Sequence, residues 1–233
     1  MQTNTFMIFN GIDFSDYLTV ESVDRGFMPS ISNTYVKKYH RRSEINPTSI
    51  KVSVRLIQDT DEGLTELKRL LAGMLFTAEP KKLILYDDPT RYDLVALDGG
   101  TSLERLWTTG RTTLTFINGE GVSYSNVPRT ENISTINVGG TWKTRPIFEM
   151  TVGSLVPQVS VTNFTTGKFV TVTSGFQIRN KVIINCQKEI VTVNGNQIMD
   201  KVSLQSDFFD LIPGTNQLSC TFPGTVTYNE AWL

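Results

Sequence analysis

Between residues 50 and 56 the chain reads Ile50-Lys51-Val52-Ser53-Val54-Arg55-Leu56, apolar side chains alternating strictly with polar ones. Side chains of an extended strand point alternately to opposite faces, so this run predicts a strand with one face buried. Runs over 83–86, 92–97 and 112–117 repeat the theme, and Asp87-Asp88-Pro89 and Asp98-Gly99-Gly100 between them are turn chemistry. Together the four predict neighbouring antiparallel strands. One segment follows a helical period instead. The recurrence of Leu64, Leu67, Leu71, Met74 and Leu75 predicts a helix over about 60–76 whose apolar stripe packs on a sheet. Asp59 with Glu62 has the spacing of a capping box at its start, and Pro80 forbids its continuation.

From 125 to 146 the apolar periodicity lapses and Asn, Thr, Gly and Pro accumulate, which predicts a domain boundary there. Short alternating runs then return at Phe148-Met150-Val152, Val159-Val161, Val170-Val172, Val182-Ile184-Cys186 and Val191-Val193, a spacing that favours a β-sandwich. After Val193, Asn194-Gly195 stands where a two-residue hairpin loop needs positive φ at both central positions. With 233 residues the chain exceeds the usual single domain of roughly 100–150. The expected fold class is mainly β with one packed α-helix, split into an N-terminal domain over 1–130 and a C-terminal domain over 131–233.

Composition narrows the function more than it names it. Hydrophobic residues make up 39% and charged residues 19%, enough apolar surface for folded cores. The 22 Lys+Arg and 23 Asp+Glu give a net charge of -1, without the excess of cations expected of a dedicated nucleic-acid binder. The N-terminus lacks a basic region followed by an apolar run, and no stretch approaches the roughly 18 apolar residues needed to span a bilayer. A protein made in the cytosol, without a membrane partner, is the expectation.

Chemistry is hard to assemble from these residues. The one histidine, His40, lies in Lys37-Lys38-Tyr39-His40-Arg41-Arg42, among cations that disfavour its protonation, so nucleophilic catalysis built on it is not expected. Cys186 and Cys220 sit in apolar strand-like runs and read as small buried hydrophobes rather than a disulfide. Two separated cysteines and one histidine offer no zinc spacing, so no metal or cofactor is predicted. Asp87-Asp88 and Asp207 with Asp210 are the carboxylate pairs a glycosidase would need, but their setting is that of turns. Trp107, Trp142 and Trp232 are the candidate sugar platforms; Trp142, after Gly139-Gly140, also reads as a packing anchor between domains. If the basic run lies in an extended hairpin, Tyr39 and Arg41 project to one side and His40 and Arg42 to the other. Such a hairpin would embrace a neighbouring subunit, guard an exposed sheet edge, or touch passing DNA.

The order of motifs resembles the distal tail proteins of long, non-contractile-tailed phages, the siphovirus tail component family. Phe9-Asn10-Gly11-Ile12-Asp13 followed by Tyr17 looks like the family's opening strand and turn. Leu75, Glu79-Pro80, Leu85-Tyr86-Asp87-Asp88-Pro89 and Arg91-Tyr92 look like its helix end, strand and Asp-Pro turn. Asp207-Phe208-Phe209-Asp210-Leu211-Ile212-Pro213-Gly214-Thr215-Asn216 is similar to its Phe-x-x-Leu-x-Pro-Gly-x-Asn segment. The resemblance implies an N-terminal β-sandwich-like ring domain and a C-terminal sandwich like those of galectins and carbohydrate-binding modules. It implies a homohexameric ring, single or stacked, that joins the tail tube protein to tail-tip and receptor-binding proteins in the virion after assembly in the host cytoplasm. DNA would only pass through the channel.

On that reading the subunit interface falls in the arm over 26–42. Phe27, Met28, Ile31 and Tyr35 are its expected apolar contacts, with Lys37, Tyr39, Arg41 and Arg42 beside them. The same apolar residues also suit a core. The alternative function is a host-surface carbohydrate-binding module, which sugar affinity in a monomer would distinguish from a ring that is silent on a glycan array.

Overall fold

The computed structural model describes residues 5–26, 29, 31–58, 60–99, 103–106 and 109–233, without the side chains of 103–106 and 109. The chain divides into two compact units, one ending at Asn126 and taking in Leu233, the other spanning Val127–Trp232.

The first unit holds β1 (Met7–Phe9), β2 (Ile12–Asp13), β3 (Leu18–Asp24), β4 (Ile31–Val36), β5 (Tyr39–Ile45), β6 (Thr48–Leu56), α1 (Asp61–Leu75), β7 (Lys81–Leu85), β8 (Arg91–Asp98), β9 (Leu103–Leu106) and β10 (Thr109–Ser125). One antiparallel sheet runs β2-β1-β7-β8-β10-β6-β3, with β9 also paired to β10. It curls on itself so far that the Thr5 carbonyl, just before β1, accepts from the Val20 amide of β3 at the opposite end. Inside lie Met7, Phe9, Val52, Leu83 and Phe116, all fully buried, with the Phe9 and Phe116 rings 5.5 Å apart. The alternation read at 50–56 is the pattern observed, Ile50, Val52, Val54 and Leu56 being buried.

Helix α1 lays Leu64, Leu67, Leu71 and Leu75 against this core, as its period predicts. Its cap differs from expectation: Thr60 is the N-cap and its Oγ1 accepts from the Gly63 amide at 3.1 Å, while Asp59 lies outside the described residues. Nor does Pro80 end it. The chain turns extended at Phe76, whose amide still donates to the Ala72 carbonyl.

In the second unit, β11 (Arg129–Asn132), β12 (Thr135–Val138), β13 (Ile147–Thr151), β14 (Val156–Asn163), β15 (Lys168–Phe176), β16 (Lys181–Asn185), β17 (Ile190–Val193), β18 (Asn196–Gln197), β19 (Gly214–Cys220) and β20 (Gly224–Tyr228) precede β21 (Ala231–Trp232). Two sheets, β11-β20-β13-β16-β17-β18 and β12-β19-β14-β15, enclose one apolar core that includes Phe148, Val161, Val172, Ile184 and Phe209. Asn194 at φ 50 and Gly195 at φ 84 make the expected hairpin loop between β17 and β18. Strands β11 and β12 fall inside the stretch where periodicity lapses, because four-residue strands leave too few positions for an alternation to register.

The Pro-Gly-x-Asn motif acquires a physical meaning here. Gly214 takes φ 90, and the fully buried Asn216 side chain accepts from the Ile212 amide and donates to the Ile212 and Gly214 carbonyls at 2.7 and 3.1 Å. The side chain thereby closes the loop that leads into β19. Cys186 is buried and Cys220 half-buried, both as free thiols.

Candidate oligomerisation arm

Strands β4 and β5 form a two-stranded sheet of their own, joined by a two-residue loop at Lys37-Lys38 with Lys37 at φ 57. Every residue of the ribbon is exposed except the half-buried Ile45, so Ile31 and Tyr35 are not core. Tyr35 is 58% and Tyr39 75% exposed, beside the exposed Ile31 and Val36. Phe27 and Met28 lie outside the described residues, so nothing places them on the arm or off it.

The faces of the arm differ from the simple alternation. The ladder passes from Thr34 opposite Arg42 to Tyr35 opposite His40, which leaves Arg41 as an extra residue in a β-bulge. Beyond that bulge every side chain changes face. Tyr39 therefore shares a face with Arg42, Thr34 and Val36, and His40 shares one with Tyr35, Asn33 and Ser43. The contacts agree. His40 Nε2 lies 2.8 Å from Ser43 Oγ, Ser43 Oγ donates to Asn33 Oδ1 at 2.7 Å, and the Tyr35 and His40 rings meet edge to face at 5.4 Å. On the other face Arg42 pairs with Glu44 at 2.6 Å. One face thus carries an aromatic and neutral polar strip, the other an ion pair flanked by Tyr39.

At its base the arm is tied to itself and to the main sheet. Asn46 Nδ2 donates to Ser32 Oγ at 2.8 Å across the two roots. Where the chain leaves β3, the Arg25 guanidinium grips both oxygens of Asp87, at 2.9 and 3.1 Å, and also contacts the buried Asp93. Burial works against the Arg25 charge, but the Asp87 hydrogen bond and the nearby carboxylates outweigh it and raise its pKa above the ordinary value. No sequence pattern joins residues so far apart in the chain.

The other candidate groups do not converge. Asp87 is held by Arg25, and Asp88 by Arg91 at 3.3 Å and Thr90 at 2.7 Å. Asp207 pairs with Lys168, and Asp210 with Lys143 and Arg145. Each carboxylate has its own cation, as structural ion pairs do. Trp142 is half-buried, its amide bonded to the Ala231 carbonyl next to Trp232; Trp107 lies outside the described residues. Among the described residues, no group of three or more His, Cys, Asp or Glu side chains could hold a metal ion, and no helix is long and apolar enough to cross a membrane.

The chain is thus a curled β unit bearing a two-stranded arm, followed by a β-sandwich, and known proteins share features of it. Residues 33–118 match the phage tail protein RIFT-related domain, and residues 139–232 match the siphovirus-type tail component, C-terminal domain. The chain belongs to the siphovirus-type tail component family, as a siphophage distal tail protein. A stretch of 67 residues is 37% identical to the distal tail protein of Bacillus phage SPP1, covering 28% of this chain and 26% of that relative. The crystal structure of SPP1 Dit, described as a paradigm of hub adsorption apparatus in phages infecting Gram-positive hosts, superposes with a TM-score of 0.85. That match has 19% identity and covers 98% of this chain and 99% of that one. A chain of the phage p2 baseplate in its activated, calcium-bound conformation follows at a TM-score of 0.58, with 10% identity and 97% of each chain covered.

Proposed function

We propose that the chain is a structural, non-enzymatic hub that closes into a hexameric ring through the β4–β5 arm. The ring joins the tail tube protein to the tail-tip and receptor-binding proteins. The exposed ribbon carries this reading. A two-stranded hairpin alone is marginally stable in water, and this one projects Ile31, Tyr35, Val36 and Tyr39 with no core beneath them. A head-to-tail interface, in which the arm of one copy lies on a different surface of the next, closes a ring when the rotation between copies is a simple fraction of a turn. The family membership and the likeness to SPP1 Dit support the ring. On this reading residues 1–130 form it and 131–233 offer an attachment platform, the particle is assembled in the host cytoplasm, and DNA only passes through the channel.

Reversing charge at Arg41→Glu and Arg42→Glu tests the arm. Light scattering is expected to show the oligomer reduced to single chains with the circular dichroism spectrum unchanged. An oligomer of unaltered mass in that variant removes the arm from the interface.

A further inference from the structure

The direction in which the arm leaves the first unit is set at two roots, and one buried side chain reaches both. Asp93 is 2% exposed. Its Oδ2 receives the Arg25 guanidinium, at the point where the chain departs β3 through Gly26, itself at φ 69. Its Oδ1 accepts from Ser123 Oγ at 2.6 Å and from Asn118 Nδ2 at 3.4 Å, the two ends of a large bulge in β10. There the register jumps from Asn118 opposite Val95 to Ser123 opposite Asp93, so residues 119–122 face Leu94 alone.

That bulge is where the returning root of the arm rests. Asn118 Oδ1 accepts from the Glu120 and Gly121 amides at 3.1 and 2.9 Å, and its Nδ2 donates to the Val122 carbonyl, so this one side chain holds the loop in shape. Gly121 is buried at φ 64, and a Cβ there would stand 2.6 Å from Ile45 Cγ2 and 3.2 Å from the Asn46 carbonyl oxygen. Ile45 ends β5 and Asn46 follows it. The absence of a side chain at residue 121 is thus what lets the arm's return seat against β10.

We infer that Asp93 is a positioning residue for ring assembly, coupling the departing and returning roots of the arm through Arg25 and through the Asn118–Ser123 bulge. This rests on the arm being the ring interface. A buried carboxylate bonded to a guanidinium and to two neutral donors has few alternative arrangements, so it holds direction as well as contact. Asp93→Asn keeps an oxygen for Ser123 and Asn118 but turns a donor toward Arg25, releasing the first root; Gly121→Ala disturbs the second without touching charge.

Spin labels on Lys38→Cys at the arm tip and Glu66→Cys on α1, in a Cys220→Ser full-length chain, measure the arm's direction by pulsed dipolar spectroscopy. Labelled chains are diluted into excess unlabelled chains of the same variant, so that each distance lies within one chain. Asp93→Asn and Gly121→Ala are each expected to broaden or shift the distance distribution and to weaken ring association on the order of tenfold or more. An unchanged distribution in both overturns the inference, as does altered direction with unaltered association. If Asp93→Asn does not fold, Gly121→Ala alone decides. Should a chain lacking β4 and β5 still assemble, the ring reading falls instead; Asp93 then stands as a positioner of the arm alone if the distances still respond.

Discussion

Asn216 satisfies four polar groups from a position no water reaches, which makes it a sharper test of the second unit's packing than any of its valines. Asn216→Ala leaves the Ile212 amide and the Asn163 Nδ2 group without this partner, Asn163 also being fully buried. The variant is expected to lose about 2–4 kcal/mol of unfolding free energy in urea, since each orphaned buried group costs about 1–3 kcal/mol. A loss below roughly 0.5 kcal/mol would contradict the assigned bonds. Cys186 makes a second prediction at this scale. Burial pushes its thiol from an ordinary value of 9.0 up to about 12, so its neutral form is the one the fold stabilises. That contribution is complete below pH 9 and disappears as pH rises toward 12, because the unfolded chain releases the proton first. Unfolding free energy measured across that window is expected to fall less steeply in Cys186→Ala than in the natural chain; identical slopes would refute it. Both the loop chemistry of Pro213-Gly214 and the apolar setting of Cys186 are legible in the sequence. The hub at Asp93 is not, because Arg25, Asp93 and Asn118 meet only through pairing of distant strands.

Among the elements, β6 and α1 could be read directly from their strong periods, and the β17–β18 hairpin from its Asn-Gly turn. Strand β10 could not. Its Asn118-Gly119-Glu120-Gly121 interruption looks like a terminating turn, yet the strand resumes through Ser125 once the bulge has passed. The arm shows the same limit on a smaller scale: its basic and aromatic residues stand out in the sequence, but one extra residue at Arg41 exchanges the faces of everything before it. At the helix start the sequence points to Asp59, which lies outside the described residues, whereas the observed cap is the Thr60 hydroxyl on the Gly63 amide. Thr60→Ala is accordingly expected to cost about 1 kcal/mol in thermal unfolding, and Glu62→Ala much less. Equal losses would restore the capping box as the better description.

For the whole molecule, cores and surface divide the labour. Each unit conceals its own apolar cluster, while among the described residues the β4–β5 ribbon exposes Ile31, Tyr35, Val36 and Tyr39 together. On the proposed function, that ribbon is the element through which copies of the chain meet. Mass photometry of the full chain, beside a chain in which residues 31–45 are replaced by a short Gly-Ser linker, tests this most directly. The account predicts a species six times the 26.1 kDa chain mass for the former and single chains for the latter. A natural chain that remains at 26.1 kDa at every concentration, or an armless chain that assembles equally well, would contradict it.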